Sequence, residues 1–147
     1  MSRRLQGLAQ SEIRAMTRAA DAAGAINLGQ GICDLPTPPP VAEAAIAAIR
    51  DRKSTYTYAE GDGGLRAKIA AKLERVNGIT ADPETEIVVT AGSAAAFTCV
   101  LHGLFDPGDE LLVPEPYYGY HVGAAKVAGV VPTFVGLRAP AFEMTEE

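Results

Sequence analysis

The chain predicts an α/β fold in which parallel strands are packed by helices. Two observations carry the prediction. Ile87–Thr90, Glu110–Val113 and Val131–Gly136 are short apolar runs bounded by turn residues, as strands are. The stretches between them, Ser93–Leu104 and Tyr117–Ala128, have the length and apolar content of packed helices. Strands separated by helices cannot pair through tight hairpins, so the pattern means βαβ units. At 147 residues and 48% apolar content, the chain has the size of one domain with a real core.

The elements follow in order. Ser11 is placed to cap a first helix, with Glu12 in its first turn. Ile13, Met16 and Ala20 then share a face, and Gly24 stops the helix. Ala25–Leu28 is short and extended. Residues 29–40 hold two glycines and four prolines, which breaks any regular element. Thr37 followed by Pro38 suits a helix entrance. Val41, Ala44, Ala45, Ala48 and Ile49 make the apolar stripe of that helix.

Lys53–Gly64 is a second irregular stretch, rich in Tyr and Gly. Leu65, Ile69, Leu73 and Val76 come into register after it, and Asn77-Gly78 ends that helix. Strand Ile87–Thr90 leads to helix Ser93–Leu104. The turn Asp106-Pro107-Gly108-Asp109 leads to strand Glu110–Val113. Helix Tyr117–Ala128 passes through Gly129 into strand Val131–Gly136.

Charge narrows the function. With 18 acidic and 13 basic residues the formal net charge is −5, which argues against a nucleic-acid surface but not against a small anionic ligand. No apolar run reaches the ~18 residues that a spanning helix needs. The N-terminus has no apolar signal core. Cys33 and Cys99 read as reduced thiols, and a cytoplasmic protein is expected.

The chemistry concentrates in the second half. After a strand, Gly92 allows a tight turn and close backbone approach. Ser93 and Ala94 then present N–H groups at a helix start, where the dipole favours a phosphate, and Ser93 adds a hydroxyl. The same residues also suit a plain turn and helix cap. Tyr117, Tyr118 and Tyr120 cluster in a chain with five tyrosines. Their rings can stack on a flat ligand, or pack at a helix start. Tyr56 and Tyr58 alternate in an extended segment and point to opposite sides, so one can be core and the other functional. His102 and His121 have no partners at metal-ligand spacing and read as structural or surface residues. Lys68, Lys72 and Lys126 fall on polar helix faces, and Lys53 lies beside a charged turn.

Several motifs, in order and at characteristic spacing, resemble the class I/II aminotransferases, the fold-type I pyridoxal-phosphate enzymes. The first is Ile26-Asn27-Leu28-Gly29-Gln30-Gly31-Ile32-Cys33-Asp34-Leu35-Pro36-Thr37-Pro38. Tyr56 with Gly61 and Leu65-Arg66 follows, then Val89-Thr90-Ala91-Gly92-Ser93, Asp106-Pro107-Gly108-Asp109-Glu110 and Pro116-Tyr117-Tyr118. The resemblance runs from about Ser11 to Gly136. It implies a three-layer α/β/α large domain, here incomplete. Residues 1–40 would be an N-terminal arm and substrate loop, and 41–147 the first part of the cofactor-binding domain.

The resemblance also implies roles. Ser93 and Ala94 correspond to the residues whose backbone amides hold the phosphate of pyridoxal 5′-phosphate. Tyr118 corresponds to the aromatic residue that stacks on the pyridine ring. Tyr56 corresponds to the tyrosine that, in many members, reaches the phosphate of the neighbouring subunit's cofactor. Gly31 corresponds to the loop glycine whose backbone meets the substrate carboxylate. Ile32-Cys33 departs from the Glu-Pro that often follows that glycine. The implied activity moves an amino group between an amino acid and a 2-oxo acid, in a homodimer.

The family's cofactor-bearing lysine, the groups that tune the cofactor ring and the carboxylate-binding arginine are expected beyond Glu147. No lysine of the chain corresponds to the first, so no catalytic residue is assigned, and these 147 residues alone are expected to be inactive. In the family's sheet, later strands lie between the first strand and the next two. Ile87–Thr90 and the other pair are therefore expected to lack their shared neighbours, leaving open edges. Two alternatives share the N-terminal pattern: a lyase that eliminates β-substituents, and a regulator that uses the domain as a sensor. Net charge and the short segment before the first helix speak against the regulator.

Overall fold

The computed structural model describes residues 2, 5, 6, 8 and 11–144. The expected arm therefore lies partly outside the described residues. The elements are α1 (Glu12–Ala23), α2 (Pro39–Arg50), α3 (Gly63–Lys72), a π-helical turn (Leu73–Asn77), α4 (Gly92–Leu104), β1 (Glu110–Glu115), α5 (Gly119–Ala128) and β2 (Val131–Gly136). The chain forms two compact units, one of residues 1–31 with 91–147 and the other of residues 32–90. No helix among the described residues is long and apolar enough to cross a membrane.

The first unit holds the sheet. β1 and β2 pair in parallel, from Glu110 opposite Val131 to Glu115 opposite Gly136. They are joined by α5, the expected βαβ connection. The core lies where α4 and α5 cover one face of this sheet. Leu101, Ala125, Ala128 and Val130 are buried there, with Phe97, Phe105, Leu111 and Ala124 packed around them. Leu112 projects to the opposite face, as strand alternation requires, and is 66% exposed. A parallel sheet is normally covered on both faces. The open face is the one that further layers of an α/β domain would cover.

Also in this unit, a side-chain network lays the 25–30 segment on α1. Asn27 Nδ2 donates to Thr17 Oγ1 at 3.0 Å, and Gly29 N–H donates to Asn27 Oδ1 at 2.9 Å. Gln30 Oε1 lies 2.9 Å from the same Thr17 hydroxyl. α1 ends at Gly24 as expected, with φ +60°. Its start differs from expectation. Ser11 is the cap residue but its side chain makes no capping hydrogen bond, and its carbonyl instead receives Ala15 N–H at 3.0 Å.

The second unit is built around Arg66. This side chain is buried, and its guanidinium donates to the carbonyls of Pro83 and Glu84 and pairs with the Glu84 carboxylate at 3.3 Å. The loop before the 87–90 segment is thereby tied to α3. The neighbouring Asp82 accepts from Glu84 N–H and Thr85 Oγ1, and these bonds hold its carboxyl below the ordinary carboxylate range. Replacing Arg66 with Met keeps the apolar stem but leaves two carbonyls without their donor. Arg66→Met should cost about 1–3 kcal/mol of unfolding free energy, read from urea denaturation of the full-length protein. An unchanged midpoint would show that water replaces the guanidinium without loss.

Three sequence expectations are corrected here. Ile87–Thr90 forms no ladder among the described residues; Val89 N–H instead donates to the Glu60 carbonyl at 2.8 Å. The segment thus has strand composition but no neighbouring strand among the described residues, as foreseen for the shared neighbours. α2 begins one residue later than Thr37-Pro38 suggests, with Pro38 as the cap residue and Pro39 in the first turn. Tyr56 and Tyr58 do not divide between core and surface, since both are exposed within their unit.

Candidate functional site

The start of α4 is shaped by one glycine. Gly92 has φ +79°, a left-handed conformation that L residues adopt only with strain, and nothing lies within 4 Å of where its Cβ would stand. Backbone conformation, not crowding, is what calls for glycine at this position. The helix that follows has Ala91 at its cap position, so the cap residue offers no side-chain acceptor to the first-turn amides. Ser93 and Ala94 lie in that turn and are exposed. Amides of a first helical turn have no intrahelical acceptor. The turn carries no acidic side chain either, so no carboxylate of that turn offsets the positive end of the helix dipole.

α5 begins later than expected, at Gly119, because Tyr118 is its cap residue in an extended conformation. The three tyrosines of this segment take three different roles. Tyr117 stacks on Phe134 of β2, with ring centroids 5.1 Å apart. Tyr120 turns its hydroxyl to α4, 2.8 Å from the Ala94 carbonyl and 2.8 Å from Thr98 Oγ1. Tyr118 keeps its ring open, at 62% exposure. His121 meets it edge-on at 5.6 Å and also packs on Phe97 of α4 at 4.6 Å. Tyr118 and the Ser93–Ala94 turn are thus brought together through Phe97, His121 and Tyr120.

Gly31 ends the segment that is held on α1. A Cβ at Gly31 would meet no atom within 4 Å. Tyr56 belongs to the other unit. It lies fully exposed in an open groove of about 540 Å³ with Lys53, Thr55, Thr57, Tyr58, Asp62 and Gly63. Lys53 pairs with Asp51 at 3.7 Å, in keeping with the charged turn read from the sequence.

Sequence reasoning grouped Tyr120 with its neighbours as a possible ring platform and missed its hydroxyl link to α4. No spacing signal announces that link, because the bonded residues are 26 apart. Arg66 was part of a motif, but its burial was not foreseen, since a lone arginine on a helix ordinarily faces water.

The residues suit a phosphorylated, flat cofactor on two observations: an exposed helix start with no acidic residue in its first turn, and an open aromatic ring linked to it. The comparisons with known proteins give the family. The family described as aminotransferase class I and II matches residues 23–145. A probable N-succinyldiaminopimelate aminotransferase, DapC, of Mycobacterium tuberculosis is 38% identical over 86% of this chain and 32% of its own length. An aspartate aminotransferase of Geobacillus stearothermophilus is 34% identical, over the whole of this chain and 39% of its own. The solved N-succinyldiaminopimelate aminotransferase from M. tuberculosis superposes with a TM-score of 0.88 at 36% identity, covering 95% of this chain and 36% of that one. The chain thus spans about a third of the length of the curated relatives it matches. A family match over most of the sequence and a fold shared with solved members lead to one conclusion: this chain belongs to the class I and II aminotransferases.

Proposed function

We propose that the protein carrying this chain is a pyridoxal-phosphate-dependent aminotransferase, which moves an amino group between an amino acid and a 2-oxo acid. The observation that carries the reading is the pairing of the α4 amide turn with the open Tyr118 ring in a member of this family. Ser93 and Ala94 would hold the cofactor phosphate through their amides, with the Ser93 hydroxyl as a further donor. Tyr118 would lie against the pyridine ring and fix its plane. Gly31, with no side chain, would leave room for the substrate carboxylate at its backbone. Tyr56 would serve the phosphate site of a neighbouring subunit, in a homodimer. Bound pyridoxal phosphate supplies the electron sink for the reaction.

Residues 1–40 act in this reading as an arm and substrate loop, and 41–147 as the first part of the cofactor-binding domain of a cytoplasmic enzyme. The relatives' names point to different amino donors, among them N-succinyldiaminopimelate and aspartate, and their similarity extends across this region. That supports the amino acid and 2-oxo acid class rather than one substrate.

The test is transamination by the full-length protein, measured as 2-oxo acid formed from a panel of amino acids with added cofactor. No turnover above the rate with free cofactor would overturn the assignment. A second measurement addresses the ring. Tyr118→Ala should weaken cofactor binding about five- to tenfold through lost stacking. Unchanged affinity would make Tyr118 a surface residue with no part in the site.

A further inference from the structure

We infer that Tyr120 is a positioning residue for the α4 amide turn, acting through its hydroxyl on the Ala94 carbonyl. The inference rests on the reading of that turn as a phosphate site. Three atoms form a closed triangle: Tyr120 Oη to Ala94 O at 2.8 Å, Tyr120 Oη to Thr98 Oγ1 at 2.8 Å, and Thr98 Oγ1 to Ala94 O at 3.0 Å. Two hydroxyl protons serve these three contacts. The carbonyl has two lone pairs, so both hydroxyls can donate to it, or one donates to it while the other donates to its hydroxyl neighbour. Every arrangement leaves the carbonyl with a hydroxyl donor, and Tyr120 bonds it either directly or through Thr98.

The consequence follows from peptide planarity. The Ala94 carbonyl and the Ala95 N–H share one rigid plane, so a bond to that oxygen also fixes the direction of that amide. The Ala94 N–H, one of the two proposed phosphate donors, is attached to the same residue. Thr98 alone could bond the carbonyl, but it rides on α4 and moves with it. Tyr120 belongs to α5, two residues after Tyr118, so its hydroxyl sets the α4 turn relative to the ring platform. Phe97 supports the link from the α4 side, with its ring 6.4 Å from that of Tyr120. Hydrogen-bond donors aimed before the ligand arrives cost less reorganisation when it binds, so loss of the link should fall on the phosphate rather than on the ring.

The test separates phosphate from ring by using pyridoxine 5′-phosphate and pyridoxine, which lack the aldehyde and form no bond with lysines. Both are titrated calorimetrically into the full-length protein. The wild-type protein should prefer the phosphate ester. Tyr120→Phe should lower its affinity for the ester about three- to tenfold, the loss of one hydrogen bond, and leave pyridoxine within about twofold. Thr98→Val should act in the same direction, and Thr98→Ser, which keeps the hydroxyl, should retain the preference. If Tyr120→Phe weakens both ligands equally, or neither, while the wild-type preference stands, Tyr120 is structural only and the inference falls alone. If the wild-type protein shows no preference for the ester, the phosphate reading falls and takes the inference with it. Should Tyr120→Phe not fold, the Thr98→Val and Thr98→Ser pair decides on the same readout.

Discussion

Leu101→Ala is expected to destabilise the sheet-bearing unit by about 3–5 kcal/mol, in the upper range for such substitutions. Leu101 is 1% exposed and sits at the centre of the α4–α5–sheet core. The cost of truncating a buried leucine depends on whether its neighbours can move into the space. Here Ala125 and Ala128 are two of the four buried members of the cluster, and a methyl group has nowhere to swing. The cavity should therefore persist, and both the transfer and cavity contributions should be felt. Leu101→Met keeps the volume and should cost less than about 1.5 kcal/mol. Urea unfolding of the full-length protein, followed by circular dichroism, checks both. Equal midpoints for the Ala and Met variants would mean that the core is not packed around this side chain.

Gly61→Ala should destabilise the second unit by about 2–5 kcal/mol, from two causes that add. Gly61 has φ +102°, where an L side chain is strained. A Cβ there would also come within 2.7 Å of Val89 Cβ and 2.8 Å of Val89 Cγ2, the branch point of a stiff side chain rather than a flexible tip. Val89 is held in place as well, by its N–H bond to the Glu60 carbonyl at 2.8 Å. The extended 87–90 segment must therefore draw back if a methyl group is added. Gly92 is the control for this argument. Its φ is also positive, at +79°, but no atom lies within 4 Å of its Cβ position. Gly92→Ala should show only the conformational cost, about 1–2 kcal/mol. Hydrogen exchange of the Val89 amide separates the two cases: it should accelerate in Gly61→Ala and stay near wild type in Gly92→Ala. Equal acceleration in both would remove the close approach as the cause.

Strand and helix order could be read from the chain because each element's signal is local. The parallel β1–α5–β2 unit follows from two apolar runs and the helix between them, and Gly24, Gly78 and Gly129 end helices where left-handed φ is needed. The amide turn at Ser93–Ala94 was legible for the same reason, since a glycine after an apolar run and before a helix is a sequence-local pattern. The motifs from Ile26 to Tyr118 pointed to the family, and the match over residues 23–145 agrees.

Other features depended on contacts between distant residues. Ile87–Thr90 has strand composition but no ladder, because a strand is defined by a partner and composition names none. The tyrosines at 117, 118 and 120 are chemically equivalent in sequence, and only packing assigns one to Phe134, one to solvent and one to the Ala94 carbonyl. Arg66 became a buried tie because Pro83 and Glu84 present carbonyls to it across a loop. The chain by itself determined its α/β class, its helix stops and the helix start at Ser93–Ala94, all written in neighbouring residues. The tertiary structure decided which side chains frame that turn and which glycine a methyl group would crowd, because those depend on distances between segments far apart in sequence.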